Sequence, residues 1–432
     1  MSFIPEIEIK SPAEIKKFQE KKLAELLQYL KTHSLFYKNH FKKFNIEVDK
    51  IKTLEDLVLI PPTVKDDIQA NNQEFLAIPE KSVAEYTSTS GTLGSPVTIP
   101  LTHNDLERLA YNEYISFCCA GGKKEDVYQL MLTLDRQFMA GIAYYEGVRK
   151  LGAAVVRSGP GLPQMQWETI QRLKPTVLVA VPSFLIKMIE FAENENIDLN
   201  KSSIKKAVCI GESIRTRDLK PNILAQKIIN SWNINLFNTY ASTEMQTAFT
   251  ECSAGIGGHH HPELIIVELL DENNRPVKNG DPGEVTVTTL GVEAMPLLRY
   301  KTGDISIAFT RPCTCGRSTL RLGPVIGRKQ EMIKFKGTTI YPPGIFNIMS
   351  ELEVISDYVV EVYTNDIGTD ELRLHLDVPA DKKSDSENML KSFFKSRLRV
   401  VPEIVFATSN QILEMHFRGN SRKVKRFLDS RE

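Results

Sequence analysis

The sequence predicts an α/β chain in two parts: a large N-terminal domain of mixed and parallel sheets with helices and an antiparallel section, then a small α+β C-terminal domain. Three observations lead there. Strand-like and helical runs alternate from about Val127 to Gly211, paired strands follow Pro262, and a short mixed unit follows Gly327. At 432 residues the chain also exceeds what one hydrophobic core usually organises.

Taken in order, Pro12 to Phe44 reads as helix, with Leu23, Leu26, Leu27 and Leu30 at helical spacing. "VYQLMLTL" reads as a strand and "AYYEGVRKLG" as a helix. "AAVVRSG", "QWETIQRLK", "PTVLVAVPS", "FLIKMIEFAENE" and "SIKKAVCIG" continue the alternation that builds a largely parallel sheet. "ELIIVELLDENNRPVKNGDPGEVTVTTL" is two strands around a turn rich in Asn, Gly, Asp and Pro, hence antiparallel. Beyond a boundary at Gly327 to Glu331 come "VISDYVVEVYTND", "ELRLHLDV", a helix from about Ser384 to Leu398, and "EIVFAT". The expected domains are 1–327 and 328–432.

Composition excludes several functions. Lys plus Arg equals Asp plus Glu at 54 each, so no overall field recruits nucleic acid or an anionic membrane. Apolar runs such as Thr176 to Ile186 are too short to span a bilayer. The opening residues hold no apolar signal core, so the expectation is a cytoplasmic protein. Six cysteines in such a chain do not form a disulfide framework, and Cys118, Cys119 and Cys209 lie in apolar runs expected to be core.

Four short segments carry chemistry. In "EYTSTSGTLGSP", Thr89, Ser90, Gly91, Thr92 and Gly94 form a loop able to offer backbone N–H groups and hydroxyls to a polyanion, although a flexible turn would look the same. "NTYASTEM" holds Tyr240, Ala241, Ser242, Thr243 and Glu244, and "LLRYKTGDIS" sets Asp304 after a glycine in a turn. "IGRKQEMIKFKG" contributes Arg328, Lys334 and Gly337 at the boundary. A solvated carboxylate and a turn-stabilising Asp are the bland explanations of Glu244 and Asp304.

In this order the segments resemble the signature segments of the adenylate-forming enzymes, the acyl-CoA synthetases and their relatives. "EAMPLLRYKTGD", "CTCGRSTLRLGPVIGR" and "LVLIPPTVKDDI" are similar to segments of the phenylacetate-CoA ligase branch, and the likeness covers nearly the whole chain. The resemblance implies ATP-driven activation of a carboxylic acid to an acyl-adenylate, then transfer to coenzyme A, with a mobile small domain serving the two half-reactions. It implies that the Thr89 loop holds the departing phosphates and that Glu244 binds Mg²⁺. Thr243 then touches the α-phosphate, Tyr240 faces the adenine, Asp304 clamps the ribose and Arg328 lies near ribose or phosphate. Lys423, in "SRKVKR", matches the adenylation lysine, with Lys425 a competitor two residues on. Gly337 matches a glycine along the pantetheine channel. Two departures stand out: Ser95 where the phosphate loop usually has Lys, and Gln330 where the hinge usually has Asp or Lys.

The same likeness places the acid among Phe138, Met139, Ala140, Gly141, Gly211, Glu212 and Ala241. An aromatic acid suits Phe138 over a small floor at Gly141 and Ala241. Packing explains Phe138 and Met139 equally, and Glu212 could serve its own turn.

Cys252, His259, Cys313 and Cys315 supply three thiolates and an imidazole, the set for a closed tetrahedral structural Zn²⁺ site. His259 is favoured over His260 and His261, and some members of the branch bind a metal at similar positions. Reduced cysteines beside a surface histidine run, or a triple His serving the substrate, are the alternatives. A homodimer is the expected assembly. Two other functions remain open: adenylation with delivery to a carrier protein or amine, and a zinc-stabilised binding protein without catalysis.

Overall fold

The computed structural model describes residues 3–89, 97–335, 338–352, 354–365, 370–417 and 425–431. The chain divides into two compact units, Met1–Thr302 with Ser306–Val325, and Gly303–Ile305 with Ile326–Glu432. Two residues and one short strand segment separate this division from the boundary read in the sequence.

The first unit opens with α1 (Pro12–His33) and α2 (Leu35–Lys43), which the sequence reads as one helix. Ser34 divides them. It leaves helical geometry and its hydroxyl accepts the Tyr37 N–H, capping α2. Then come α3 (Lys65–Phe75), β1 (Glu85–Ser88), β2 (Thr98–Leu101) and α4 (His103–Cys119). The alternating section follows as β3 (Val127–Leu130), α5 (Met139–Leu151), β4 (Ala154–Arg157), α6 (Pro163–Leu173), β5 (Val177–Ala180), α7 (Pro182–Asn194), β6 (Lys206–Cys209), α8 (Ile223–Ser231) and β7 (Asn235–Ser242). It continues through β8 (Thr247–Glu251), β9 (Gly258–His259), β10 (Ile265–Leu270), β11 (Gly283–Thr289), β12 (Tyr300–Ser306, of which Gly303–Ile305 belong to the second unit), β13 (Ala308–Phe309) and β14 (Arg321–Leu322).

Among the described residues nine strands form one sheet in the order β13-β14-β9-β8-β7-β6-β5-β3-β4. From β4 to β7 every pairing is parallel; from β7 outward every pairing is antiparallel. The change of direction at β7 matters, because open α/β sheets place ligands beyond the carboxyl ends of parallel strands. β5 is buried along its whole length, as a strand covered by helices on both faces must be. β10 and β11 pair antiparallel, as expected.

One local expectation is corrected. Asp304 lies in strand β12, not in a turn. Gly303 takes φ +80° within that strand, which a glycine tolerates, so the Gly-Asp pair that reads as a turn is accommodated in extended backbone.

The second unit contains β15 (Gly327–Arg328), β16 (Ile333–Phe335), β17 (Thr338–Ile340), α9 (Pro342–Met349), β18 (Asp357–Thr364), β19 (Asp370–Asp377), α10 (Lys383–Leu398), β20 (Glu403–Phe406), α11 (Ser409–His416) and β21 (Phe427–Ser430). Its main sheet runs β20-β19-β18-β21 around a core of Val360, Val362, Leu372, Leu374, Leu376, Leu390 and Phe394.

Candidate functional site

β7 ends where the sheet changes direction, and its last residues carry the second sequence motif. Tyr240, Ala241 and Ser242 pair with Phe249, Ala248 and Thr247 of β8, so the backbone there is fixed by a hairpin. The Ser242 hydroxyl accepts the Met245 N–H at 3.3 Å, and Gln246 turns the chain with φ 51°. Thr243 and Glu244 are thereby presented at the tip, both half-buried. The Glu244 side chain is only 12% exposed, and the Lys65 ammonium approaches it at 3.9 Å. That spacing is loose for a carboxylate so far removed from water, and an oxygen donor of this kind suits a hard cation.

Lys65, the first residue of α3, is a neighbour of this candidate site that the sequence reading did not single out. It sits inside "LVLIPPTVKDDI", one of the segments carrying the resemblance, and that was the available signal.

The phosphate-loop assignment falls mostly on residues 90–96, so Ser90, Gly91, Thr92 and Gly94 lie outside the described residues. Thr89 is described and buried. Its N–H donates to the Val97 carbonyl and its Oγ1 accepts the Val97 N–H, both at 3.0 Å. Thr89 therefore closes the base of the loop.

In the second unit Asp304 and Arg328 face each other as register partners of β12 and β15, with Nε to Oδ1 at 3.4 Å. Lys334 lies in β16; its side chain, together with Gly337 and Lys423, lies outside the described residues. Lys425 is described, and its N–H donates to the His416 carbonyl.

Around the expected acid pocket, Phe138 is 37% exposed at the N-cap of α5, while Met139 points into the core at 3%. Gly141 has a packing reason: a Cβ there would collide with the Thr133 carbonyl and the Leu134 Cα. Both Glu212 oxygens are taken by Ser183, one by its N–H and one by its hydroxyl, each at 2.9 Å. Glu212 thus anchors the Gly211 turn to the start of α7, the turn role left open above. Ala241 is exposed.

At the antiparallel end of the same sheet, Cys252 follows β8, His259 lies in β9, and Cys313 and Cys315 lie between β13 and β14. The pairing of β9 with β14 brings the distant halves together. All four ligand atoms fall within 4.8 Å of one another. Cys252 Sγ is 3.5 Å from Cys313 Sγ, and His259 Nε2 is 3.4 Å from Cys252 Sγ and 3.5 Å from Cys315 Sγ. A tetrahedron with Zn–S of about 2.3 Å and Zn–N of about 2.0 Å has edges of roughly 3.5–3.8 Å, so the donor set fits that ion. His259 Nδ1 meets the Thr319 hydroxyl at 3.3 Å, leaving Nε2 for the cluster.

The neighbouring histidines are not a surface run. His260 is buried with Nε2 at 2.6 Å from the Ile265 carbonyl, and burial lowers its pKa to about 4. His261 Nδ1 lies 2.5 Å from Glu8, whose other oxygen receives Arg317 Nε at 2.5 Å. Arg317 Nη1 in turn reaches Cys315 Sγ at 3.6 Å. This Glu8–Arg317–His261 network was invisible in the sequence, because it joins residues some 250–310 positions apart.

Comparison with known proteins fixes the family. Residues 14–294 match the model of the AMP-binding enzymes. The chain belongs to this family. It is 29% identical over 389 residues to the phenylacetate-coenzyme A ligase of Thermus thermophilus, covering 88% of this chain and 84% of the relative. It is 25% identical over 409 residues to that of Escherichia coli, covering 92% and 89%. The fold matches a crystal structure of 2-hydroxyisobutyryl-CoA ligase in its postadenylation state with TM-score 0.81 at 21% identity, over 99% of this chain and 92% of that one. Among the described residues of this family member, no helix is long and apolar enough to cross a membrane.

Proposed function

We propose that this AMP-binding enzyme is an AMP-forming acid–thiol ligase. It activates a carboxylic acid with ATP to an acyl-adenylate and pyrophosphate, then passes the acyl group to the thiol of coenzyme A. The observation that carries this reading is the β7 tip, where Tyr240–Glu244 project from the switch point of the sheet and, among the described residues, the Glu244 carboxylate keeps one loosely placed cation nearby. The phenylacetate-coenzyme A ligases similar over most of the chain support the same chemistry.

Joining a carboxylate to an α-phosphate brings two anions together, so positioning and charge neutralisation supply most of the rate. In this reading Glu244 holds Mg²⁺, which neutralises phosphate oxygens when bound. Thr243 orients the α-phosphate, the loop based at Thr89 receives pyrophosphate, Tyr240 lies against adenine, and Asp304 holds the ribose hydroxyls with Arg328 beside it. The small domain, 328–432, supplies Lys423, Gly337 borders the thiol's path, and Lys334 lies at the domain boundary. An aromatic acid fits Phe138. Cys252, His259, Cys313 and Cys315 hold a structural Zn²⁺, closed to substrate because four protein ligands leave no open position. A homodimer and a cytoplasmic location are proposed with it.

The test is acid-dependent exchange of labelled pyrophosphate into ATP, followed by CoA-dependent release of AMP, across a panel of carboxylic acids. Exchange without CoA-dependent turnover points to another acceptor; no exchange with any acid defeats the reading. Lys423→Ala is expected to abolish exchange while thiol transfer from supplied acyl-adenylate survives.

A further inference from the structure

We propose that the open cavity of about 650 Å³ at the carboxyl ends of β3 and β4 is an anion subsite, taking the negatively charged far end of a ligand whose reacting end lies at β7. The inference rests on the adenylation reading of that tip.

Position comes first. β3 and β4 belong to the parallel half of the sheet, so their carboxyl ends open on the same side as that of β7. β3 is three strands away from β7, roughly 14 Å at about 4.8 Å per step. An extended chain covers that in about twelve bonds, at roughly 3.5 Å per three bonds.

Charge comes second. Arg136 and Arg157 both line the cavity. Among the described residues Arg157 meets no carboxylate within ion-pair distance; its guanidinium lies over the Tyr145 ring at 5.4 Å. Among those residues Arg136 reaches only its neighbour Asp135, at 3.9 Å, and the Asp135 carboxylate already accepts the Thr133 hydroxyl. Two exposed guanidiniums thus border the cavity, whose lining holds one partly engaged acid, Ser158, and Leu132 and Pro160 as apolar members. Guanidinium forks suit carboxylate and phosphate oxygens.

The third observation is backbone strain. Arg136 and Gln137 are adjacent non-glycine residues at φ 59° and 58°. Such a pair persists only where its surroundings over-determine it, and strain of this kind gathers at functional sites. The restraints are visible: the Ser88 N–H donates to the Gln137 carbonyl at 2.9 Å, and the Phe138 N–H donates to the Asp135 carbonyl at 3.2 Å. Ser88 ends β1, immediately before the segment that Thr89 closes. The loop presenting Arg136 is therefore tied to the base of the proposed pyrophosphate loop.

The ligand chemistry is a carboxylate or phosphate separated from the reacting group by an apolar spacer. Two sources fit: an acid with a second anionic group, or a phosphate of the thiol donor. Pyrophosphate exchange, which needs no thiol, separates them. Straight-chain monocarboxylic and dicarboxylic acids of equal length, spanning the reach above, serve as probes for wild type, Arg157→Gln and Arg136→Gln. Arg149→Gln, an exposed neighbour on Tyr145 outside the cavity lining, is the control. For an acid-borne anion, wild type prefers the dicarboxylate, and Arg157→Gln lowers its kcat/KM about 10- to 100-fold, the loss of one charged hydrogen bond, while sparing the monocarboxylate. For a thiol-donor phosphate, exchange is untouched and KM for CoA rises by that factor instead. Equal loss on both acids, or no loss in either assay, overturns the subsite while leaving the ligase reading intact. A wild type that exchanges with other acids but with none of these straight-chain probes overturns the acid-borne arm alone, and one inactive with every acid of the wider panel overturns both readings.

Discussion

Two carboxylates in this molecule, Glu244 and Glu8, are both removed from water and yet are finished in opposite ways. Glu244, 12% exposed at the β7 tip, has one ammonium at 3.9 Å. Glu8 is fully buried, and each of its oxygens has a partner at 2.5 Å, His261 on one side and Arg317 on the other. The second arrangement is what a buried charge needs in order to be merely structural: a close, hydrogen-bonded partner on each carboxylate oxygen. The first leaves coordination capacity unused. A loosely compensated carboxylate can accept a cation that arrives with a substrate, whereas a closed one can only hold parts together. Glu8 holds the N-terminal turn to the segment carrying Cys313 and Cys315, and the Ser318 N–H adds a bond to the Glu8 carbonyl at 2.8 Å.

Opening the closed centre should have the largest effect. Glu8→Ala leaves Arg317 buried at 3% exposure without its carboxylate, and breaking such a pair costs about 3–5 kcal/mol. Urea unfolding should show that loss. Zinc, expected at about one ion per four-ligand site, should also leave faster when a chelator is added, because Arg317 no longer steadies Cys315. Unchanged stability together with unchanged zinc retention would reduce the network to incidental packing.

Altering the open centre should spare the fold and cost the chemistry. Glu244→Gln removes a charge with no tight partner among the described residues, so thermal unfolding should stay close to wild type. Pyrophosphate exchange should fall about 100-fold or more, the size expected when one preorganised electrostatic group is lost. A variant that is destabilised but still active would reverse the contrast between the two carboxylates.

The legible part of the sequence was its periodic part. Alternation between Val127 and Gly211 gave the parallel half of the sheet because each strand is short, apolar and followed by an amphipathic helix. The Cys252, His259, Cys313 and Cys315 set could be named because thiolates and imidazole have few other uses in such a pattern. Pairings that depend on the folded chain were not readable. Nothing near Glu8 announces Arg317, and nothing near Lys65 announces Glu244, since register between distant segments is set by the sheet and not by local composition. Small residues misled in a different way. Gly141 looked like the floor of a pocket and Gly303 like a turn, but a glycine records only that a Cβ or an ordinary φ is excluded, and close packing or an irregular strand excludes them as well.

Glu113 gives the mildest test of the same contrast, because it is a buried carboxyl with no cation paired to it among the described residues. It sits on α4 at 4% exposure, with the Asn112 amide donating to it at 3.0 Å and Gly147 of α5 packed on its Cβ. Burial pushes its pKa up to about 8, so the folded protein keeps this group neutral over a range where the unfolded chain ionises it. The folded state then binds more protons than the unfolded state between about pH 4.5 and 8, and stability must fall as pH rises through that window. Glu113→Gln preserves the shape and the Asn112 neighbour without a titrating proton. It should match wild type near pH 4.5, exceed it by on the order of 4 kcal/mol at pH 8, and flatten the slope between them. Unfolding free energies for both proteins across that range decide the matter: parallel curves would mean that Glu113 finds a cation or water in solution, and that this interface between α4 and α5 is less closed than its geometry indicates.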